Sequence, residues 1–239
     1  NSLENLDALA KRGMAYMTLT WNNSTDWASS AADETFKKDS LKHIGLTEFG
    51  KQVVKRMNEL GVIVDLSHVG ETTFYDAIKV SVKPVMASHS SAYFFNPHQR
   101  NLKDEQIKAI AKTGGVVFVN FYSGFLDSTY NRKFQEFNAA HKAELSELTK
   151  KYQSRSKAQA EISSRYSKQI NEMRPPLSLL IDHIDYMVKL AGAEHVGLGA
   201  DFDGAESYPQ QLDDVSKYPL ITEALLKRNY SGKDIIKIL

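Results

Sequence analysis

The sequence contains no cysteine, which excludes disulfide bonds and thiolate metal ligands within these 239 residues. It also lacks an excess of charge: 30 Lys and Arg balance 29 Asp and Glu, for a formal net charge of +1. We therefore predict no nucleic-acid partner. No apolar run approaches the roughly 20 residues that span a bilayer, so we predict no transmembrane segment. Because cytoplasmic and exported proteins can both lack cysteine, the location stays open between the cytoplasm and the periplasm or cell envelope.

Beyond these absences, the composition is that of an ordinary globular protein, with 42% hydrophobic and 25% charged residues. A chain of this length can bury a sizeable core, and we predict a single domain over residues 1–239. The first residues already have the pattern of a helix, which indicates a chain that begins within that domain.

Five apolar runs have the length and residue types of β-strands. They alternate with segments of helical periodicity, which indicates parallel βαβ units and an α/β fold. The runs lie near residues 15–20, 62–67, 84–88, 115–121 and 195–200. A closed (β/α)8 barrel needs eight strands. The fold is therefore either an open sheet or a barrel of which three strands precede residue 1.

Two segments interrupt this alternation. Residues 21–46 are polar and show no period, which predicts a long loop over the barrel mouth. Residues 126–176 are rich in Lys, Glu, Gln and Ser and carry apolar residues at helical spacing. We interpret this second segment as an inserted helical hairpin, or one long helix, that braces or covers the barrel. A coiled coil that binds a partner is the alternative.

The most informative residues stand at the ends of predicted strands. His68 and His89 follow the second and third strands, and Asp201 follows the fifth. Because the C-terminal ends of parallel strands face the same mouth, these side chains are expected to meet. Two neutral imidazoles and a carboxylate suit a catalytic divalent metal, which predicts metal-assisted hydrolysis. The alternatives are structural: hydrogen-bonded histidines and a capping aspartate.

Several motifs occur in a fixed order along the chain. They read Gly45-Leu-Thr-Glu-Phe-Gly, Asp65-Leu-Ser-His68, Ser88-His-Ser-Ser-Ala-Tyr93, Gly199-Ala-Asp-Phe-Asp-Gly204 and Asp214-Val-Ser-Lys-Tyr-Pro219. In these motifs and their spacing the chain closely resembles the membrane (renal) dipeptidase family. The likeness extends over nearly the whole chain outside the 126–176 segment.

The resemblance implies a zinc dipeptidase with a (β/α)8 TIM-type barrel, of which this chain would supply the C-terminal five βα units and a helical insert. It implies that His68 and His89 bind one zinc and that Arg100 holds the substrate carboxylate. Asp201 would help to bind a second zinc, orient the attacking water and pass a proton to the leaving amine. The family's His-x-Asp pair and bridging Glu have no counterpart here and would lie upstream of residue 1. We therefore expect two zinc ions in an intact protein, but one or none, and no activity, for residues 1–239 alone.

The substrate side departs from the family pattern at one position. Where the family often has a histidine that contacts the scissile carbonyl, this sequence has Trp21, which offers only an N–H donor. Trp21 or the neighbouring Asn22 would then bind the substrate there, with Tyr122 as a further candidate. Strand alternation points Asp65 away from the face of His68, so a supporting role is expected for it. Asp203 is a similar candidate.

We predict no metal-binding role for His98, His141, His183 and His195, while His43, in the mouth loop, is left open.

Two other functions fit the same site residues. One is an amidohydrolase-type deaminase or lactonase, which needs no carboxylate clamp at Arg100. The other is a catalytically dead binding homologue, which should hold little zinc. The expected partners are a dipeptide substrate and a second copy of the chain in a homodimer.

Overall fold

A computed structural model describes residues 2–239. It contains a five-stranded parallel sheet whose strands follow one another in chain order. The strands are β1 (Tyr16–Thr18), β2 (Ile63–Asp65), β3 (Val85–Ala87), β4 (Val116–Asn120) and β5 (Val196–Gly199). Each matches one predicted run and is shorter than it. The predicted α/β fold is confirmed, and an in-order parallel sheet of this kind is consistent with part of a TIM-type barrel.

Helices cover the sheet between successive strands. The helices outside residues 126–176 are α1 (Leu3–Lys11), α2 (Ala31–Phe36), α3 (Glu48–Leu60), α4 (Glu71–Val80), α5 (Asp104–Lys112), α6 (Ser123–Leu126), α11 (Leu177–Ala191), α12 (Tyr218–Lys227) and α13 (Gly232–Ile238). Helix α3 shows why the ends of the helices could be predicted from the sequence. The Thr47 hydroxyl accepts the Gly50 N–H at its start, and Gly61 ends it with φ = 72°.

The prediction of a continuous loop over residues 21–46 was wrong. The segment contains α2 and a 3-10 turn at Lys38–Ser40. Ser30 caps α2 by accepting the Asp33 N–H, and Ala31 and Asp33 are buried. A helix of six residues covers fewer than two turns, which is too short to produce a detectable period.

The segment 126–176 contains four helices rather than the predicted one or two. They are α7 (Tyr130–Ala140), α8 (Lys142–Tyr152), α9 (Arg155–Arg165) and α10 (Ser167–Met173). The chain reverses at Gln153, which is left-handed with φ = 49°. Helix α8 packs on α9 and α7 on α10, so the segment is a hairpin with each arm broken once. The breaks fall at His141 and Tyr166, neither of which is Gly or Pro. The two rings pack at a tilt, with their centroids 4.0 Å apart.

The main core lies between the sheet and the covering helices. Its largest fully buried side chains include Phe74, Phe121, Met57, Ile107 and Leu180. The four-helix segment has a separate small core, which includes Phe137, Leu148 and Ile162. No helix within residues 2–239 combines the length and the apolarity that a membrane crossing requires.

His183 links helix α11 to the loop after β3 and to the end of α6, and its burial makes stability depend on pH. Its Nδ1 accepts the Ala92 N–H at 3.1 Å, and its Nε2–H donates to the Leu126 carbonyl at 3.2 Å. Burial lowers the pKa of His183 from 6.5 to about 4. Between these values the unfolded state binds the proton and the folded state does not.

We therefore expect the free energy of unfolding to fall as pH decreases from 6.5 to 4, by about 3 kcal/mol from this residue. Urea unfolding of wild type and His183→Gln at pH 7, 5.5 and 4 measures this contribution. The variant should start less stable at pH 7 and lose less on acidification. Parallel pH curves for the two proteins would contradict it.

Candidate metal and substrate site

A cavity of about 680 Å³ opens at the C-terminal ends of the strands. Every residue that the sequence analysis placed at a metal or substrate site lines it: His68, His89, Asp201, Arg100, Trp21, Asn22 and Tyr122. The strand-end rule explains this convergence, because the segments after β1 to β5 all emerge on the same side of the sheet. The cavity is therefore the candidate functional site.

His68 and His89 face each other in this cavity. Their Nε2 atoms are 2.9 Å apart and their ring centroids 4.9 Å apart. The Nδ1 atom of His68 lies 3.1 Å from the Asn22 Oδ1, which can only accept, so His68 carries its proton on Nδ1. The Nδ1 atom of His89 lies 2.8 Å from the Ser88 Oγ. Ser88 donates its own proton to Asp65, so it accepts from His89.

Both imidazoles are neutral at neutral pH. Burial, then the Arg100 charge and the neighbouring ring, lower the pKa of His68 to about 3. Burial and then Arg100 lower the pKa of His89, against the opposing effect of Asp201 and Asp65. Neutral imidazole is the form that binds metal ions.

This arrangement fits a metal ion. With both Nδ1 atoms protonated, two Nε2 lone pairs point at each other across 2.9 Å, and they repel unless a cation or proton lies between them. Two nitrogens bound to one tetrahedral zinc at roughly 2.0–2.1 Å each are separated by about 3.3 Å, so the two rings would need to move apart by only about 0.4 Å to hold the ion. Within residues 2–239, however, no three His, Asp or Glu side chains form a metal-binding group. The described residues thus supply two histidine ligands, and the geometry does not add Asp201 as a third.

Asp201 lies in the same cavity but has a different neighbour. Its Oδ2 accepts from the Asn120 Nδ2 at 3.3 Å. Its backbone is left-handed at φ = 59°, and that of His68 is left-handed at φ = 67°. Left-handed non-glycine residues carry strain and concentrate at functional sites, and two of the three predicted metal ligands have this conformation.

Gly199 allows β5, which precedes Asp201, to lie close to the end of β3, which precedes His89. A Cβ at Gly199 would collide with the Ser88 carbonyl oxygen and contact the Phe118 side chain and the His89 Cα. Any larger residue would push β5 away from the end of β3. The small residue two positions before Asp201 therefore sets the spacing between the two predicted ligands.

Arg100 is a buried charge that forms no ion pair within residues 2–239. Its side chain lies over the Phe125 ring, 5.3 Å from the centroid, and only 6% of the residue is exposed. Its one hydrogen bond runs from Nη2 to the His89 carbonyl at 3.4 Å, and Nε has no acceptor. No carboxylate in residues 2–239 forms an ion pair with it. A surface salt bridge therefore does not account for Arg100 in the part of the chain that the structure describes.

Burial lowers the pKa of Arg100 to about 10, so the group remains charged at neutral pH. A buried cation without an ion pair is costly, and an incoming anion would relieve that cost. The structure therefore presents an anion-binding group beside the two histidines.

Aromatic and acidic residues form the rest of the wall. Trp21 is 66% exposed at the cavity mouth, and Tyr122 is half-buried, with its pKa raised mainly by burial. Phe125 and Glu206 line the cavity and Asn120 contacts Asp201, although none of the three was predicted as a site residue. Asn120 ends β4, so the strand-end rule could have identified it. No sequence signal marked Phe125 or Glu206.

The other histidines lie away from the two facing rings. None of the five, His43, His98, His141, His183 and His195, lines the cavity. His98 accepts the Arg100 backbone N–H, and His195 contacts the Gly115 carbonyl at the opposite end of the sheet. Asp203 is exposed and is not among the lining residues.

Comparison with known proteins adds two findings. The family model for membrane dipeptidase (peptidase family M19) matches residues 1–239. Among solved structures, the chain is similar to the probable dipeptidase PvdM from Pseudomonas aeruginosa, with a TM-score of 0.76 and 28% identity over 99% of this chain and 62% of that one.

A metallo peptidase from Rhodobacter sphaeroides, liganded with a phosphinate mimic of the dipeptide L-Ala-D-Ala, has a TM-score of 0.72 and 25% identity over 98% of this chain and 55% of its own. An amidohydrolase from Pseudomonas aeruginosa shares the fold, with a TM-score of 0.71 and 21% identity over 99% of this chain and 65% of its own. The chain thus spans about three-fifths of the length of these structures.

Proposed function

The chain belongs to the membrane dipeptidase family, and from that membership we propose that it carries the metal- and carboxylate-binding part of a zinc dipeptidase. One observation supports this most strongly. Two neutral histidines with facing Nε2 atoms share a cavity with a buried arginine that has no ion-pair partner among the residues that the structure describes. The histidine pair suits a metal ion, and the arginine suits a substrate carboxylate. A dipeptidase needs both groups in one cavity, because the scissile bond and the free carboxylate of a dipeptide are only a few atoms apart.

His68 and His89 would hold the metal through Nε2, each oriented by the hydrogen bond at Nδ1. When bound, zinc supplies Lewis acidity at the scissile carbonyl and lowers the pKa of a nearby water. Asp201, whose carboxylate faces the same cavity, would accept the proton of the attacking water and return it to the leaving amine. Trp21 would supply an indole N–H at the mouth of the site, beside Asn22.

Arg100 would bind the free carboxylate of the C-terminal residue of the substrate. The relative from Rhodobacter sphaeroides was solved with a dipeptide mimic, and we extend that substrate class to this chain. Because this cation is held at a fixed position relative to the metal-binding histidines, it would select substrates in which the free carboxylate follows the scissile bond by one residue. Deaminases and lactonases of the amidohydrolase type have no use for such a clamp, so a dipeptidase accounts for Arg100 better.

Zinc analysis combined with a substrate panel tests the proposal. We expect the full-length purified protein to contain zinc and to hydrolyse dipeptides, to lose activity on treatment with 1,10-phenanthroline, and to regain it when zinc is added. Release of ammonia from amidine substrates without dipeptide cleavage would indicate a deaminase. A protein that binds no zinc and cleaves nothing would be a binding homologue. Gel filtration of the same sample tests the expected homodimer.

A further inference from the structure

A buried aspartate is connected to the metal-facing histidine His89 through one hydroxyl group. Asp65 lies at the end of β2 and is 0% exposed. Its Oδ1 accepts the backbone N–H groups of Ser67 and Ser88, at 3.0 and 2.9 Å. Its Oδ2 accepts the hydroxyl groups of Ser88 and Thr18, at 2.6 and 2.5 Å. Four donors therefore converge on one carboxylate.

The Ser88 hydroxyl has two possible acceptors for its one proton, the Asp65 Oδ2 at 2.6 Å and the Ser67 Oγ at 3.3 Å, and the shorter, charge-assisted contact is the stronger. A carboxylate can only accept, so the Ser88 hydroxyl proton points at Asp65. The Ser88 Oγ is then left with lone pairs, and its 2.8 Å contact with the His89 Nδ1 requires a proton on that nitrogen. His89 consequently presents an unprotonated Nε2 to the cavity. The tautomer of His89 is set two hydrogen bonds away.

We propose that Asp65 is a positioning residue that selects the metal-binding tautomer of His89 through Ser88. The proposal rests on the proposed function, because the tautomer matters only if the His89 Nε2 binds a metal. Asp65 touches neither the cavity nor the substrate, and its role is separate from the clamp at Arg100. Partners at the distal nitrogen of a ligating histidine commonly fix the tautomer and the ring orientation.

The hydrogen bonds from Asp65 through Ser88 to His89 form a relay. In Asp65→Asn we expect the donors and acceptors of this relay to exchange roles while its side chains keep their positions. The two backbone N–H groups at Oδ1 keep the oxygen of the introduced amide in place. Its NH2 group must then replace Oδ2 and donate to the Ser88 Oγ. The Ser88 proton turns to the His89 Nδ1, which becomes an acceptor, and the proton of His89 moves to Nε2. A protonated Nε2 cannot bind a metal.

The tautomer can be observed without metal or activity. In metal-free protein labelled with ¹⁵N-histidine, we expect His89 to be protonated at Nδ1 in wild type and at Nε2 in Asp65→Asn. Zinc affinity measured by competition with a chelating dye should fall roughly 10- to 100-fold in the variant. A second variant, Ser88→Ala, leaves Asp65 with three donors and removes only the relay atom. It should lose the tautomer preference and about tenfold in zinc affinity.

Asp127→Asn is the matched control. Asp127 is also a largely buried carboxylate that accepts one N–H and one O–H, both from Thr129, and it does not line the cavity. It should leave the His89 tautomer and zinc affinity unchanged. An unaltered His89 tautomer in folded Asp65→Asn or Ser88→Ala would overturn the relay. If the tautomer switches as expected but wild type binds no zinc, the relay stands and the proposed function fails.

Discussion

Replacing Arg100 with alanine should lower kcat/KM for dipeptides with a free carboxylate by about 30-fold to several thousand-fold, which corresponds to 2–5 kcal/mol. Arg100 is buried, has no ion-pair partner in the described residues and points at the cavity that contains the histidines. A substrate carboxylate bound there lies in a low dielectric, where a charge-assisted pair is strongest. The measurement is kcat/KM for matched pairs of free and C-terminally amidated dipeptides.

The amidated substrates make this result specific. They cannot form the ion pair, so they should be slow with wild type and lose little more with Arg100→Ala. Arg132→Ala is a suitable control, because Arg132 is exposed on α7, where it pairs with Glu136, and does not line the cavity. Equal losses for both substrate types would mean that Arg100 supports the fold rather than the carboxylate.

Replacing His89 with alanine should weaken zinc binding by more than about 100-fold and reduce hydrolysis to near background. This exceeds the usual loss for removing a partner behind a ligand, because a ligand itself is removed. His68 would remain as the one histidine ligand among the described residues. Zinc content after gel filtration and dye competition measure the effect. Circular dichroism and thermal unfolding establish that the variant is folded.

His195→Ala is the matched control for that experiment. Like His89, His195 lies at one end of a parallel strand with its Nδ1 in a hydrogen bond, here to the Gly115 carbonyl, but it stands where β5 begins, at the end of the sheet away from the cavity. Zinc affinity should be unchanged. Full zinc content in His89→Ala would contradict a metal role for the two facing rings.

Much of the fold could be predicted because it depends on local sequence. Five apolar runs separated by helical patterns specify parallel strands, and Thr47 and Gly61 mark helix ends with their own chemistry. The two failures have different origins. Helix α2 is too short to show a period, and the arms of the hairpin break at His141 and Tyr166, whose rings contact each other although they are far apart in sequence.

The sequence by itself determined that His68, His89 and Asp201 would share one mouth, because parallel strands all end on the same side of a sheet, and the family resemblance added Arg100 to the same site. Only the tertiary structure decided which ring nitrogens face each other, which tautomer each ring adopts and that Arg100 is buried without an ion-pair partner in the residues described. These properties depend on hydrogen bonds between residues far apart in the chain, such as Thr18 with Asp65 and Asp65 with Ser88. Periodicity gives the direction of a side chain relative to the sheet, but it carries no information on which distant group that side chain will meet.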